Sequence, residues 1–439
     1  MRTYTENKKD IPVNGEFDVI VCGGGPSGFT AAIASAKRGA KTLLIEKYGF
    51  LGGTGTSAMM VEFGPIFDGK DVLLGGCVHE FLHRLEDEGY GEMRSKQTHS
   101  MVFDPEGMIC ICQKMVLEAG AEILLHTVVA DVIREGQRIK GVVVENKSGR
   151  SAYMAKIVID ATGDGDIAFR AGAEFSYGNE EGKVQPVSLE FLLGNVDHRK
   201  ITSPYVGVLL PYIKKAKENG DWKIPSDQFF SWGRVKKRGA PDTPESSFYF
   251  INATNALNIN GADAKELTKG EIECREQVPQ VMEFLQNYVP GFEKCYLDRT
   301  AAQIGIRETR RIRGKYTLTR SDVLEGRHFD DGIVPGCNSI DVHDVKGKTF
   351  EHQFLKEGTH YQIPWRCFLP EKTEGLIVTG RCLSADHYAL GSVRVMVVCM
   401  PMGEACGLAA ATACDENCEL DSVPIGKVQE TLRTQGSVI

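Results

Sequence analysis

Three glycines, Gly23, Gly25 and Gly28, stand in G-x-G-x-x-G spacing directly after an apolar run at residues 17–22. The run is rich in β-branched residues and short enough to be a buried parallel strand. Pro26 and Ser27 fall where a helix would take its first turn, and Pro26 suits that place because its missing N–H is not needed there. Small residues continue to position 36, Gly39 can end the helix, and residues 41–46 read as a second strand closing on Glu46. This order has a chemical logic. Gly23 permits a tight turn, Gly25 lets the backbone approach a pyrophosphate, and Gly28 lets helix and strand pack closely. The helix N-terminus offers free N–H groups to the phosphates, and Glu46 can accept from both ribose hydroxyls. The spacing predicts a dinucleotide site, and the acid at Glu46 disfavours a 2′-phosphate.

Other stretches carry candidate chemistry. Residues 49–55, with Gly53 and Thr54 and the hydroxyls of Thr56 and Ser57 close by, can line a long cofactor leaving the first turn. Residues 157–166 form another apolar strand tipped by Gly163 and Asp164, as if its end meets a ligand. His79, Glu80 and His83 spell H-E-x-x-H inside an expected helix at 72–85. That string can bind zinc, but Arg84 lies beside it and no completing ligand follows, so both histidines read as surface decoration and no metal is expected. Arg307, Glu308, Arg310, Arg311 and Arg313 crowd one short run, which is either a solvated face or an anion clamp.

The elements that must position these groups follow from period and punctuation. Helices are expected at 104–120, capped by Asp104, at 264–288, interrupted or restarted at Pro279, and at 402–413, with Pro401 at its start or at a kink. A strand is expected over 122–132, and a hairpin over 139–154 turning at 147–149. From about Gly172 the βαβ rhythm gives way to proline and aromatic residues, the mark of an insertion. The helix at 402–413 carries Gly403, Cys406 and Gly407, so it can lie against the small-faced helix after Gly28. The expected division is therefore 12–172 together with 371–425, interrupted by 173–370.

Composition narrows the function classes. The chain has 439 residues, 42% of them apolar, and a formal charge of −8. That argues against nucleic acid as the main partner. Residues 1–12 hold no apolar signal segment, and no stretch reads as long and apolar enough to cross a bilayer. The thirteen cysteines follow no C-x-x-C pattern, so a reducing, cytoplasmic setting without a cysteine-held cluster is expected.

The segments VCGGGPSGFTAA, LLIEKYGFLGGTGT, VIDATGDGD, IGIRETRRI with YTLTRSDVLEGR, IPWRCFLP and GRCLSADHYALGSVRVM run in one order along nearly the whole chain. Together they resemble the FAD-dependent oxidoreductases of the glutathione-reductase-like superfamily, distantly akin to fumarate reductase flavoproteins. The resemblance implies an α/β fold, a Rossmann-like FAD-binding domain with an inserted α+β substrate domain, and FAD as cofactor. It implies that Glu46 meets the ribose, that residues 23–28 hold the pyrophosphate, and that Gly163 lies near the adenine half. Gly380 and Arg381 through Arg394 are then expected along the flavin, with Lys47, Gly53, Thr54 and Asp164 completing the cofactor contacts.

Arg307 is expected on the substrate side, and His387, Arg307 and Tyr361 are the candidate acid/base groups. Tyr388 follows His387 where the family pattern carries an acid. The expected reaction is hydride transfer between flavin N5 and a small polar, carboxylate- or sugar-like substrate, with an electron donor or acceptor left open. A chain that binds FAD only to relay electrons to a partner protein is the alternative, and a homo-oligomer is compatible with either.

Overall fold

Val19, Ile20, Val21 and Cys22 are wholly buried at the end of β1 (Val13–Cys22), the strand on which the rest is assembled. The computed structural model describes the chain apart from residues 1–2, 6–8, 94–99, 202–205, 228 and 348–349. Part of the N-terminal stretch 1–12 therefore lies outside the described residues. From β1 the chain turns into α1 (Pro26–Lys37) and returns as β2 (Thr42–Ile45). It then passes through α2 (Gly76–Asp87) and α3 (Pro105–Glu118) into β3 (Glu122–Leu124), β4 (Val128–Glu135), β5 (Arg138–Asn146) and β6 (Gly149–Asp160).

These strands form one sheet in the order β3-β2-β1-β6-β5-β4. β3, β2, β1 and β6 are parallel, whereas β4 and β5 are antiparallel additions. The strand expected over 122–132 is broken in the middle. His126 takes a φ of 52°, and the amides of His126 and Thr127 donate to the carbonyls of Tyr48 and Glu46. The interruption thus wraps the tip of β2 and fixes the backbone around Glu46.

A second, antiparallel sheet lies within the inserted stretch. β7 (Phe191–Gly194), β8 (Ser231–Val235), β9 (Phe248–Asn252) and β10 (Tyr296–Thr300) lie in the order β8-β9-β7-β10. α4 (Ala264–Tyr288) is continuous through Pro279. Burial of Val278, Val281 and Leu285 outweighs the lost backbone bond, and Asp263 caps the helix by accepting from the amides of Lys265 and Glu266. Two hairpin pairs follow: β11 (Gly332–Gly336) with β14 (Tyr361–Pro364), and β12 (Ile340–His343) with β13 (Phe350–Gln353).

The chain then returns to the first sheet. β15 (Leu376–Val378) pairs in parallel with β6, and α5 (His387–Val393) and α6 (Met396–Asp415) follow. α6 is longer than expected and carries Pro401 in its interior. By length and composition it is apolar enough to cross a membrane, which corrects the sequence expectation that no stretch is. Its most apolar window is 94% buried inside the protein, where it lies along α1. A Cβ on Gly403 would stand 1.8 Å from the Ser27 carbonyl oxygen and one on Gly407 2.3 Å from that of Ala31. Thr30 Oγ1 donates to the Met400 carbonyl at 2.7 Å. Only glycine admits this approach, and it sets the two ends of the chain against each other.

Candidate functional site

At the tip of β1, Gly23 adopts a φ of 100°, left-handed backbone that glycine accepts without strain. A Cβ on Gly28 would lie 1.8 Å from the Gly23 carbonyl oxygen. Gly25 differs: its Cβ would meet nothing nearer than the Gly53 Cα at 3.8 Å. Gly25 is also the N-cap of α1 and makes no side-chain cap bond. The turn therefore presents open space at the N-terminus of α1, where a phosphate would sit, and it fits a dinucleotide.

Glu46, 6% exposed, accepts from the Gly24 amide at 2.6 Å through Oε2 and from the Tyr48 amide at 2.9 Å through Oε1. The carboxylate thus braces the glycine turn as well as standing at the strand end. Lys47 reaches over the Tyr48 ring at 5.1 Å. Gly53, with a φ of 52°, packs against Gly25, and the Thr54 carbonyl accepts from Met60. Gly380 comes so close to Ser27 that a Cβ there would be 2.6 Å from its hydroxyl.

Gly163 and Asp164 meet the C-terminal segment. Arg381 donates to Asp164 Oδ1 at 2.7 Å and to Thr309 Oγ1 at 2.8 Å, and Arg310 donates to the Asp164 carbonyl. Arg381 and Asp164 therefore engage each other. Two strand tips and the arginine-rich run are tied together here.

That run is not a solvated face. Arg307, Glu308, Arg310 and Arg311 are all buried, whereas Arg313 pairs at the surface with Glu174. Glu308 accepts from Arg311 Nη1, from the Gln185 amide at 3.2 Å, and faces His387 Nδ1 at 3.0 Å. The sequence reading did not single out Glu308 as the partner of His387. The acid that the family pattern carries after the histidine is absent here, and Glu308 supplies one from a distant segment.

Arg307 donates to the Pro186 carbonyl at 2.7 Å and to Ser188 Oγ at 2.9 Å, and its guanidinium lies 5.0 Å over the Phe230 ring. Phe230 in turn meets the His343 ring edge-on at 4.6 Å. Arg394 donates to the Asp341 carbonyl at 3.0 Å and to its Oδ2 at 3.2 Å. Asp341 also faces His343 at 3.6 Å and His352, its cross-strand partner, at 3.2 Å.

Burial, and then the neighbouring Arg394, pulls the Arg307 guanidinium down to about 10. Burial, and then Arg307, pulls His343 down to about 4, so its ring is neutral. Burial alone would raise the Asp341 carboxyl, but His343, then His352 and Arg394, hold it well below the usual carboxylate range. Of these neighbours Arg394 is the permanently charged one, and it pairs with Asp341 Oδ2. Asp341, His343, His352, Phe230, Gln185 and Ser188 escape motif reading; the alternation of Asp341 and His343 along one strand face is the signal that could have found the first two.

Tyr361, expected as an acid/base candidate, sits in the core. It is fully buried, its hydroxyl bonds Ser392 Oγ at 2.7 Å, and burial pushes its phenol above the usual range. On α2, His79 and His83 are exposed and 3.0 Å apart, while Glu80 is paired with Lys37 and Arg84. Among the described residues no group of three or more His, Cys, Asp or Glu side chains is set to hold a metal.

The sequence matches the FAD dependent oxidoreductase family over residues 18–432. Curated relatives include the thiamine thiazole synthase of Methanococcus vannielii, 32% identical over 34% of this chain and 56% of that protein. The thiamine thiazole synthase of Metallosphaera sedula is 34% identical over 37% of this chain and 59% of its own. The matches thus span little more than half the length of these relatives.

Among solved structures, a geranylgeranyl bacteriochlorophyll reductase-like protein from Thermoplasma acidophilum superposes with a TM-score of 0.51 at 16% identity. That match covers 96% of this chain and 84% of that one. A p-nitrophenol 4-monooxygenase from Pseudomonas putida gives 0.50 at 12% identity, covering 96% and 87%. At such identity the likeness is one of fold. The family match over almost the whole chain, joined to a glycine turn shaped for a dinucleotide, makes this protein a member of the FAD dependent oxidoreductase family and an FAD-dependent enzyme.

Proposed function

We propose that this enzyme moves a hydride between flavin N5 and a small polar substrate bearing a carboxylate, and that Arg307 receives that carboxylate. The observation that carries this reading is the burial of two guanidiniums around a single carboxylate, Asp341. FAD, when bound, supplies the hydride acceptor or donor. The protein's own part is binding, orientation and proton handling. Arginine grips a carboxylate through paired N–H groups, which fixes the substrate in register. His387, its Nδ1 held by Glu308, leaves Nε2 to give or take the accompanying proton.

The narrower kinship to glutathione-reductase-like and fumarate reductase flavoproteins belongs to this reading, supported by the order of the motifs. So does the division into 12–172 with 371–425 and an inserted 173–370, in which the insertion contributes Arg307 and Asp341 and the returning segment contributes His387 and Arg394. The relatives carry names from different chemistries, synthase and monooxygenase, so the part shared with them is read as cofactor binding and not as substrate. An anaerobic screen of hydroxy acids and sugars, read by bleaching of the oxidised flavin, and of enoates, read by re-oxidation of the pre-reduced flavin, tests the proposal. Hydroxy acids are expected to bleach, or enoates to re-oxidise, the wild type and not Arg307→Ala. Bleaching by uncharged sugars alone would sink the carboxylate assignment.

A further inference from the structure

Around Phe230 the buried charges do not cancel. Arg311 is paired with Glu308, Arg381 with Asp164, and Arg394 with Asp341. Arg307 has no carboxylate within ion-pair distance among the described residues. Its hydrogen-bond partners, the Pro186 carbonyl and Ser188 Oγ, are neutral, and the Phe230 ring fills one face.

Glu190 is the candidate counter-ion. It lies two residues beyond Ser188 on the same extended segment, only 4% exposed. Its Oε1 accepts from Asn252 Nδ2 at 3.2 Å, and its Oε2 has no hydrogen-bond partner. An ionised carboxylate beside a guanidinium would take a short, two-bond pair with it, and Arg307 instead bonds two neutral oxygens. Burial pushes the Glu190 carboxyl well above the usual range, and Arg307 opposes this only in part. Two guanidiniums, Arg307 and Arg394, then have between them one carboxylate within ion-pair distance among the described residues, Asp341. An unpaired buried charge is costly, so the cluster is completed by a single negative charge from outside.

We infer that the site takes a monoanion, a small monocarboxylate, with Arg307 as its anchor, and that Asp341 excludes dicarboxylates by neutralising Arg394. This rests on the carboxylate reading above and narrows it.

The test is titration of the FAD-loaded protein with propionate and with succinate at equal ionic strength and pH 8. Binding is read by calorimetry and by the absorption of the bound flavin. Propionate is expected to bind about tenfold or more tighter than succinate, a difference of about 1.4 kcal/mol. Arg307→Gln should weaken propionate about 10- to 100-fold, the range for lost hydrogen bonds to a charged group. Arg307→Lys should bind more weakly while keeping the preference. Asp341→Asn, nearly isosteric, frees Arg394 and should tighten succinate about tenfold while moving propionate less than about threefold.

If neither acid binds the wild type, the carboxylate reading and this inference fall together. If succinate binds as tightly as propionate and Arg307→Gln still abolishes both, only the monoanion assignment falls. If Asp341→Asn retains FAD yet gains nothing for succinate, Asp341 is not the excluding residue.

Discussion

The glycine turn at residues 23–28 and the charged cluster around Phe230 are built on opposite principles. The turn works through backbone: its donors are amides, its shape depends on absent side chains, and it needs only one contiguous stretch braced by Glu46. The cluster works through long side chains, Arg307, Asp341, His343 and Arg394, drawn from three separate segments. Its neutral and charged members are set by burial. A region made of backbone tolerates almost no added atom. A region made of side chains tolerates changes of shape but not of charge.

The largest expected effect breaks the turn. Gly28→Val places a Cβ 1.8 Å from the Gly23 carbonyl oxygen, a clash with rigid backbone. The variant should lose FAD entirely or fail to fold, as measured by flavin content after purification. A yellow Gly28→Val protein with full FAD would show that the turn is not the rigid cradle described.

Next in size is the reciprocal change on the cluster. Arg394→Ala strips Asp341 of its cation and should cost about 3 kcal/mol of stability, the lower end for a broken buried pair because Asp341 is partly exposed. It should keep FAD, yet shift the flavin spectrum, whereas Arg307→Ala should leave the spectrum unshifted. Loss of FAD in both arginine variants would erase the contrast between the two regions.

Glu46→Ala sharpens the comparison from the other side. It removes the brace on the Gly24 and Tyr48 amides together with the carboxylate expected to accept from the ribose. FAD affinity should fall by about 1.5–3 kcal/mol for each charged hydrogen bond lost, read by equilibrium release of flavin. Carboxylate binding to the FAD-saturated variant should be unchanged.

The smallest effect is on acid stability. His343 is held at about 4 in the folded protein, below its unfolded value near 6.5. A depressed value means that the unfolded chain binds the extra proton first. The stability His343 contributes is therefore present above about pH 6.5 and is lost as pH falls through about 4. Thermal melts of the wild type should fall across that window, and His343→Gln should flatten part of the slope. An identical pH profile in the variant would place the acid sensitivity elsewhere.

The two regions also differed in how far the sequence disclosed them. Gly23, Gly25, Gly28 and Glu46 are close in sequence, so spacing alone brings them to one strand tip. The small-residue helix at the C-terminus was legible for the same reason, since Gly403 and Gly407 announce a close neighbour. Pro279 misled, as did Pro401 read as a helix start, because local propensity counts the lost hydrogen bond and not the burial that overrides it.

What the residues by themselves determined is the cofactor end: a glycine-lined turn, an acid at the next strand tip, and a parallel sheet to hold them. Local rules suffice there, because each requirement is met within a few dozen residues of chain. Only the tertiary structure decided that Tyr361 is enclosed, that Glu308 is the acid facing His387, and that Arg394 pairs with Asp341 while Arg307 bonds two neutral oxygens. Charge and protonation depend on burial and on partners more than a hundred residues away in some cases, as with Arg307 and Ser188. No spacing in the chain encodes those distances.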